Sequence, residues 1–70
     1  MNIYIKHFKN SNRISHYLRA SQLITGRWAI ETKIFNQNNW YININLPDFD
    51  TEEIADKWLQ ENYEIYKEVI

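Results

Sequence analysis

An α+β fold, an antiparallel three- or four-stranded sheet packed by a C-terminal helix, is predicted by three features of the 70 residues. Apolar and polar residues alternate in separate short runs, as they do along half-buried strands. The polar stretch Asn36-Gln37-Asn38-Asn39 divides two of those runs. A helix-start signal at Asp50 comes directly after Pro47, a residue that stops a strand. A chain this short builds one small core, so residues 1–70 are expected to form a single domain.

The first strand is expected over Asn2 to Phe8, where Ile3, Ile5 and His7 alternate with Tyr4, Lys6 and Phe8. The polar cluster Lys9-Asn10-Ser11-Asn12 ends it. Residues 11–25 then admit two readings. Ser11 or Asn12 can cap a short helix that places Ile14, Tyr17, Leu18 and Ser21 on one face and stops at Gly26. Leu23 falls on the opposite face of that helix, so a strand through Ile14, His16 and Leu18 is the alternative.

From Trp28 the alternation resumes, with Trp28, Ile30, Thr32 and Ile34 on one face and Glu31, Lys33 and Phe35 on the other. A further strand follows, in which Trp40, Ile42, Ile44 and Leu46 alternate with Tyr41, Asn43 and Asn45. If Ile30, Ile34, Ile42 and Ile44 share one face, paired residue numbers sum to an even number and the loop holds three or five residues.

Asp50-Thr51-Glu52-Glu53 reads as an N-cap with its reciprocal acid three residues on, and Phe49 with Ile54 as a hydrophobic staple. Ile54, Ala55, Trp58, Ile65, Tyr66 and Val69 then form one apolar helix face, interrupted by Asn62. The expected core is Trp28, Ile30, Ile42, Ile44, Ile54, Trp58 and Ile65.

The formal net charge of -1 conceals a division along the chain. Through Lys33 the balance is +5, and from Asp48 onward it is -6. Such asymmetry points to an interaction surface or to internal pairing of the halves. With no Cys, disulfides, thiolate metal sites and Cys nucleophiles are excluded, which fits a cytoplasmic setting. No apolar run is long enough for a membrane span or signal peptide, so no membrane partner is expected. The single Gly leaves no phosphate-cradling loop. His7 and His16 lack metal-ligand spacing, and Ser15-His16 has neither an oxyanion hole nor an orienting group. The expectation is a non-enzymatic binding protein without metal or cofactor.

Two surfaces compete for the binding role. Glu53, Asp56, Gln60, Glu64 and Glu68 lie on the outer side of the expected helix, where a row of carboxylates can stand in for DNA phosphates before a DNA-binding protein. On the sheet, Tyr4, Lys6, Phe8, Lys33, Phe35, Tyr41, Asn43 and Asn45 would share a face if the three strands were neighbours. There Lys6, Arg27 and Lys33 would meet phosphates of duplex DNA, and Tyr41, Asn43 and Asn45 its bases. A homodimer burying Tyr4, Phe8, Phe35 and Tyr41 is compatible with either.

Gly26-Arg27-Trp28 opening a strand, the polar turn, a second strand and then Phe49-Asp50-Thr51-Glu52-Glu53-Ile54-Ala55-Asp56-Lys57-Trp58-Leu59 resemble the arm-site DNA-binding N-terminal domain of tyrosine integrases over residues 26–60. The resemblance implies three antiparallel strands packed on one helix, with the sheet entering the DNA major groove. Phe49, Thr51 and Ala55 match the helix approach of that family, whereas Asp48 stands where it has glycine and the helix is acidic where it is basic. In size and composition the chain also resembles small phage host-takeover inhibitors, and its Ile, Asn, Tyr and Lys content fits AT-rich coding. The leading expectation is thus a phage or mobile-element protein that binds and inhibits a host protein in the bacterial cytoplasm, with DNA binding by the sheet as the alternative.

Overall fold

The computed structural model describes residues 2–67. Four strands run in sequence, β1 (Tyr4–His7), β2 (Ile14–Gln22), β3 (Trp28–Ile34) and β4 (Tyr41–Ile42). Helix α1 (Glu52–Asn62) and a short strand β5 (Glu64–Ile65) follow. The result is α+β, with a five-stranded sheet in the order β4-β3-β2-β1-β5 and every pair antiparallel.

The segment 11–25 forms no helix; it carries the strand β2, which is the centre of the sheet. β2 pairs with β1 from Tyr4 opposite Leu18 to His7 opposite Ile14, and with β3 from His16 opposite Ile34 to Gln22 opposite Trp28. A helix there would leave the ladder groups of β1 and β3 without partners. Turn chemistry marks both of its boundaries. Asn10 takes a positive φ of 59° in the first turn, a conformation Asn tolerates better than most residues. Ile24, Thr25 and Gly26 form a three-residue hairpin loop, closed by Leu23 N–H to Arg27 O at 2.7 Å and Gly26 N–H to Leu23 O at 2.9 Å. Gly26 supplies the left-handed position of that loop at φ 92°.

The β3–β4 register differs from the expected one. Glu31 stands opposite Ile42 and Thr32 opposite Tyr41, so paired numbers sum to an odd number and Ile42 faces away from Ile30. Cross-sheet chemistry accounts for the choice. In this register Tyr41 and Asn43 turn towards Thr32, whose hydroxyl accepts from Asn43 Nδ2 at 3.4 Å. The Trp40 ring reaches the opposite face, where it lies under the Arg19 guanidinium at 3.9 Å. β4 then ends in a turn, with Leu46 N–H bonded to Asn43 O at 3.1 Å, and Ile44 is left 89% exposed.

The helix begins one residue later than Asp50. Thr51 is the N-cap, its hydroxyl accepting the Ile54 N–H at 3.2 Å, while Asp50 bonds Arg27 instead. With Thr51 as cap, the third helical residue is Ile54, so no acid closes a reciprocal box. Ile54 is 50% exposed, and Phe49 packs on Trp58 with ring centroids 5.8 Å apart. Phe49 also exchanges two 2.8 Å backbone hydrogen bonds with Trp28, which ties the approach to α1 onto the start of β3. At the other end, Tyr63 N–H bonds Leu59 O at 2.8 Å in an extended cap. The chain then pairs along the free edge of β1, with Ile65 opposite Tyr4, so the helix does not continue to Tyr66. Val69 lies outside the described residues.

The buried cluster is Tyr4, Leu18, Ala20, Ile30, Ala55 and Leu59, with Trp28, Leu46, Phe49, Trp58 and Tyr63 packed around it. Of the expected core, Ile30 is fully buried and both tryptophans contribute, whereas Ile42, Ile44, Ile54 and Ile65 are exposed. Tyr4, expected on an open face, is 0% exposed, and its hydroxyl donates to Asp56 Oδ1 at 2.7 Å. It therefore contributes nothing to a dimer surface.

Burial, and then the bond to Asp56, push the Tyr4 hydroxyl above the ordinary tyrosine value of 10.0. The folded state keeps this proton more tightly than the unfolded chain, so the resulting stability is complete below about pH 10 and declines as pH rises from there. Ultraviolet absorbance titration is expected to show late-ionising tyrosines, with Tyr4→Phe removing one of them. The same substitution is expected to cost about 1.5–3 kcal/mol by removing a hydrogen bond to a charged acceptor. A titration unchanged by Tyr4→Phe would contradict the Tyr4–Asp56 contact.

Candidate functional site

Helix α1 covers one face of the sheet, through Leu18, Ala20 and Ile30, and strand alternation sends Tyr17, Arg19, Lys33, Phe35 and Trp40 to the other. Tyr66, carried back beside β1 by its N–H bond to Ile3 O at 2.8 Å, joins them. Phe35 stacks on Tyr17 with centroids 6.1 Å apart and planes at 25°, and Tyr66 meets Tyr17 edge-on at 5.3 Å. Lys33 Nζ lies 4.7 Å from the centre of the Tyr17 ring while donating to Gln37 O at 3.1 Å. Arg19 sits over Trp40, and its Nε donates to Glu31 Oε1 at 2.8 Å.

The arrangement keeps two cations against aromatic faces, where the ring quadrupole attracts them. Phe35 is 53% and Tyr66 37% exposed, so part of the aromatic surface stays open to a ligand. Ile3, Tyr17, Lys33, Phe35, Trp40 and Tyr66 enclose a hollow of about 220 Å³. A second hollow of about 370 Å³ adjoins it at the start of β2, where Phe8, Arg13 and Phe35 contribute, with the Arg13 guanidinium 6.0 Å from the Phe8 ring centre. Burial, and then the neighbouring Tyr66, push the Tyr17 hydroxyl above its ordinary range, so Tyr17 presents a neutral ring at physiological pH.

Of the residues expected to share the nucleic-acid face, Lys33 and Phe35 lie here and Phe8 borders the adjoining hollow. Lys6, Tyr41 and Asn43 gather on the helix side, around a separate small hollow. Asn45 lies in the turn after β4, its N–H bonded to Asn43 Oδ1 at 3.1 Å. Arg27 is tied to Asp48 at 3.0 Å and to Asp50. That pairing holds the Asp48 carboxyl below its usual range and pushes Arg27 up. The expected face failed to assemble because β2 intervenes between β1 and β3, which puts Tyr4 and Lys6 on the side opposite Lys33.

The expected acidic row is likewise divided. Asp56 accepts from Tyr4 and from Gln60 Nε2 at 3.0 Å, so Asp56 and Gln60 are engaged in the scaffold. Glu64 belongs to β5, with Oε2 3.8 Å from His7 Nδ1, and Glu53 is exposed on the helix. Glu68 lies outside the described residues. Glu53 and Lys57, and Lys57 and Glu61, stand four residues apart on α1 and form no ion pair.

No binding face expected from sequence includes Tyr17, Arg19, Trp40 or Tyr66. Alternation would have exposed the first two, since a strand over 14–22 puts Tyr17 and Arg19 on one face. Ser15 Oγ and His16 Nδ1 are 2.9 Å apart, yet Ser15 is buried and donates to Lys6 O at 3.0 Å, so its hydroxyl is not free to act as a nucleophile. Among the described residues no three His, Asp or Glu side chains are grouped to hold a metal, and no helix is long and apolar enough to cross a membrane. The chain matches no protein-family model, no curated protein and no solved structure.

Proposed function

We propose that this chain is a non-enzymatic binding protein that takes single-stranded nucleic acid across the helix-free face of its sheet. The observation that supports the reading is the aromatic cluster Tyr17–Phe35–Tyr66 with Lys33 held over it and Arg19 over the neighbouring Trp40. Exposed rings accept bases by stacking, and adjacent cations meet the phosphates of the same strand. Splayed bases are needed for such stacking, which favours a single strand over the closed duplex implied by the integrase resemblance.

The test is fluorescence anisotropy of a labelled oligothymidylate and of its duplex at several salt concentrations. Saturable binding of the single strand is expected, weakening as salt rises with a slope of about -0.7 per phosphate neutralised. Preference for the duplex would replace this reading with the integrase-like one. Indifference to both would overturn it.

A second reading rests on the opposite side of the molecule, where Glu52, Glu53 and Glu61 are exposed on α1 and form no ion pair among the described residues. There a phage-encoded inhibitor would hold a host DNA-binding protein by substituting for DNA. Release of a nucleoid protein from DNA by a chain that does not itself bind DNA would favour this second reading.

A further inference from the structure

On the helix side of the sheet, Lys6, His16, Thr32, Tyr41, Asn43 and Tyr63 surround a hollow of about 100 Å³ floored by Leu18 and Leu46. We propose that this hollow binds a phosphate-type oxyanion. Its construction is specific. Lys6 and His16 stand directly opposite each other on β1 and β2, and Tyr41 comes in from β4 opposite Thr32. The lining is rich in donors and, among the described residues, holds no carboxylate, in a chain of net negative charge. Glu61 and Glu64 flank Lys6 only in the neighbouring, more open hollow, and among the described residues neither forms an ion pair with Lys6. A volume this small takes one tetrahedral anion rather than a drug-sized ligand, which needs roughly 300 Å³ or more.

The hydrogen bonding of His16 gives the site a proton linkage. Its Nδ1 faces Ser15 Oγ, and the one hydroxyl proton of Ser15 goes to Lys6 O, so Nδ1 carries the hydrogen. Nε2 of the neutral ring is then an acceptor and repels an anion, whereas the protonated ring offers Nε2–H as a charged donor. The titratable groups that line the hollow with His16 are, among the described residues, Lys6 from β1, Tyr41 from β4 and Tyr63 after α1, and none brings negative charge. Burial, and then the charge of Lys6, hold His16 below its ordinary value in the free protein. A bound anion compensates both effects, so anion binding and His16 protonation strengthen each other.

The experiment titrates inorganic phosphate into the full chain, with sodium chloride at matched ionic strength as control. Backbone amides and the imidazole nitrogens are followed by NMR between about pH 5 and 8, the range in which histidine titrates. Saturable shifts confined to Lys6, His16, Tyr41 and Asn43 are expected, with a rise in the His16 pKa as phosphate is added. Lys6→Met is expected to lower phosphate affinity about tenfold or more, the usual loss for a charged hydrogen bond, while the spectrum remains dispersed. Linear shifts spread over the surface, a His16 titration indifferent to phosphate, or unaltered affinity in Lys6→Met would each overturn the site. Adding a 5′-phosphorylated and an unphosphorylated oligonucleotide separates the sources, since only a strand-terminal phosphate makes the first compete with inorganic phosphate. The site stands independently of the sheet-face reading, because Lys6→Met leaves Tyr17, Phe35 and Lys33 in place.

Discussion

Phe35→Ala and Tyr17→Ala are each expected to weaken single-strand binding by roughly 5- to 150-fold, the range that corresponds to about 1–3 kcal/mol of lost base–aromatic stacking. Phe35 is the cleaner of the two. It is half exposed and contacts the cluster through one stacked neighbour, so its loss removes ligand surface with little loss of fold. Tyr17 is the hub, touching Phe35, Tyr66 and Lys33, and its truncation also frees those groups from their arrangement. Tyr17→Phe keeps the ring and is expected to bind nearly as the parent does. Lys33→Ala acts differently, because it removes one phosphate contact and is expected to reduce the salt slope by about 0.7. Anisotropy titrations read all four variants, and circular dichroism confirms that each is folded. Parental affinity in folded Phe35→Ala and Tyr17→Ala would remove the sheet face as the surface that takes the strand.

Leu59→Ala is expected to destabilise the protein by about 2–5 kcal/mol, as truncation of a fully buried leucine does. Leu59 is 0% exposed and is the largest apolar side chain that α1 buries in the central cluster. A domain of this length rarely holds more than about 3–5 kcal/mol, so the variant is expected to be largely unfolded or close to it at 25 °C. Ile54→Ala on the same helix is expected to cost under about 1 kcal/mol, because half of that side chain already meets water. Urea unfolding followed by tryptophan fluorescence distinguishes them. Equal losses in the two variants would mean that α1 packs through a different stripe from the one described.

The difference between those two positions shows where the sequence was legible. Trp28 to Ile34 was readable because alternation there lasts a whole strand, and the start of α1 was readable to within one residue because capping is a local event. Thr51 displaced Asp50 at the cap because Arg27, distant in sequence, bonds Asp50 and Asp48. The binding face was harder to read, since it joins Tyr17 from β2, Lys33 and Phe35 at the end of β3, Trp40 before β4 and Tyr66 after β5. No local pattern links those positions. Their common face follows only once β2 is known to lie between β1 and β3.

By itself, the sequence determined an α+β chain with an antiparallel sheet, a break at Pro47 and a helix starting near residue 51, because each depends on neighbours within a few bonds. The tertiary structure decided that residues 14–22 are the central strand, that Ile42 faces away from Ile30, and that α1 stops at Asn62 so that Glu64 and Ile65 can pair with β1. Those choices rest on hydrogen-bond partners and buried contacts contributed by distant segments. A change of one residue in register reverses every side chain of a strand, so the face that each residue presents is a property of the assembled sheet.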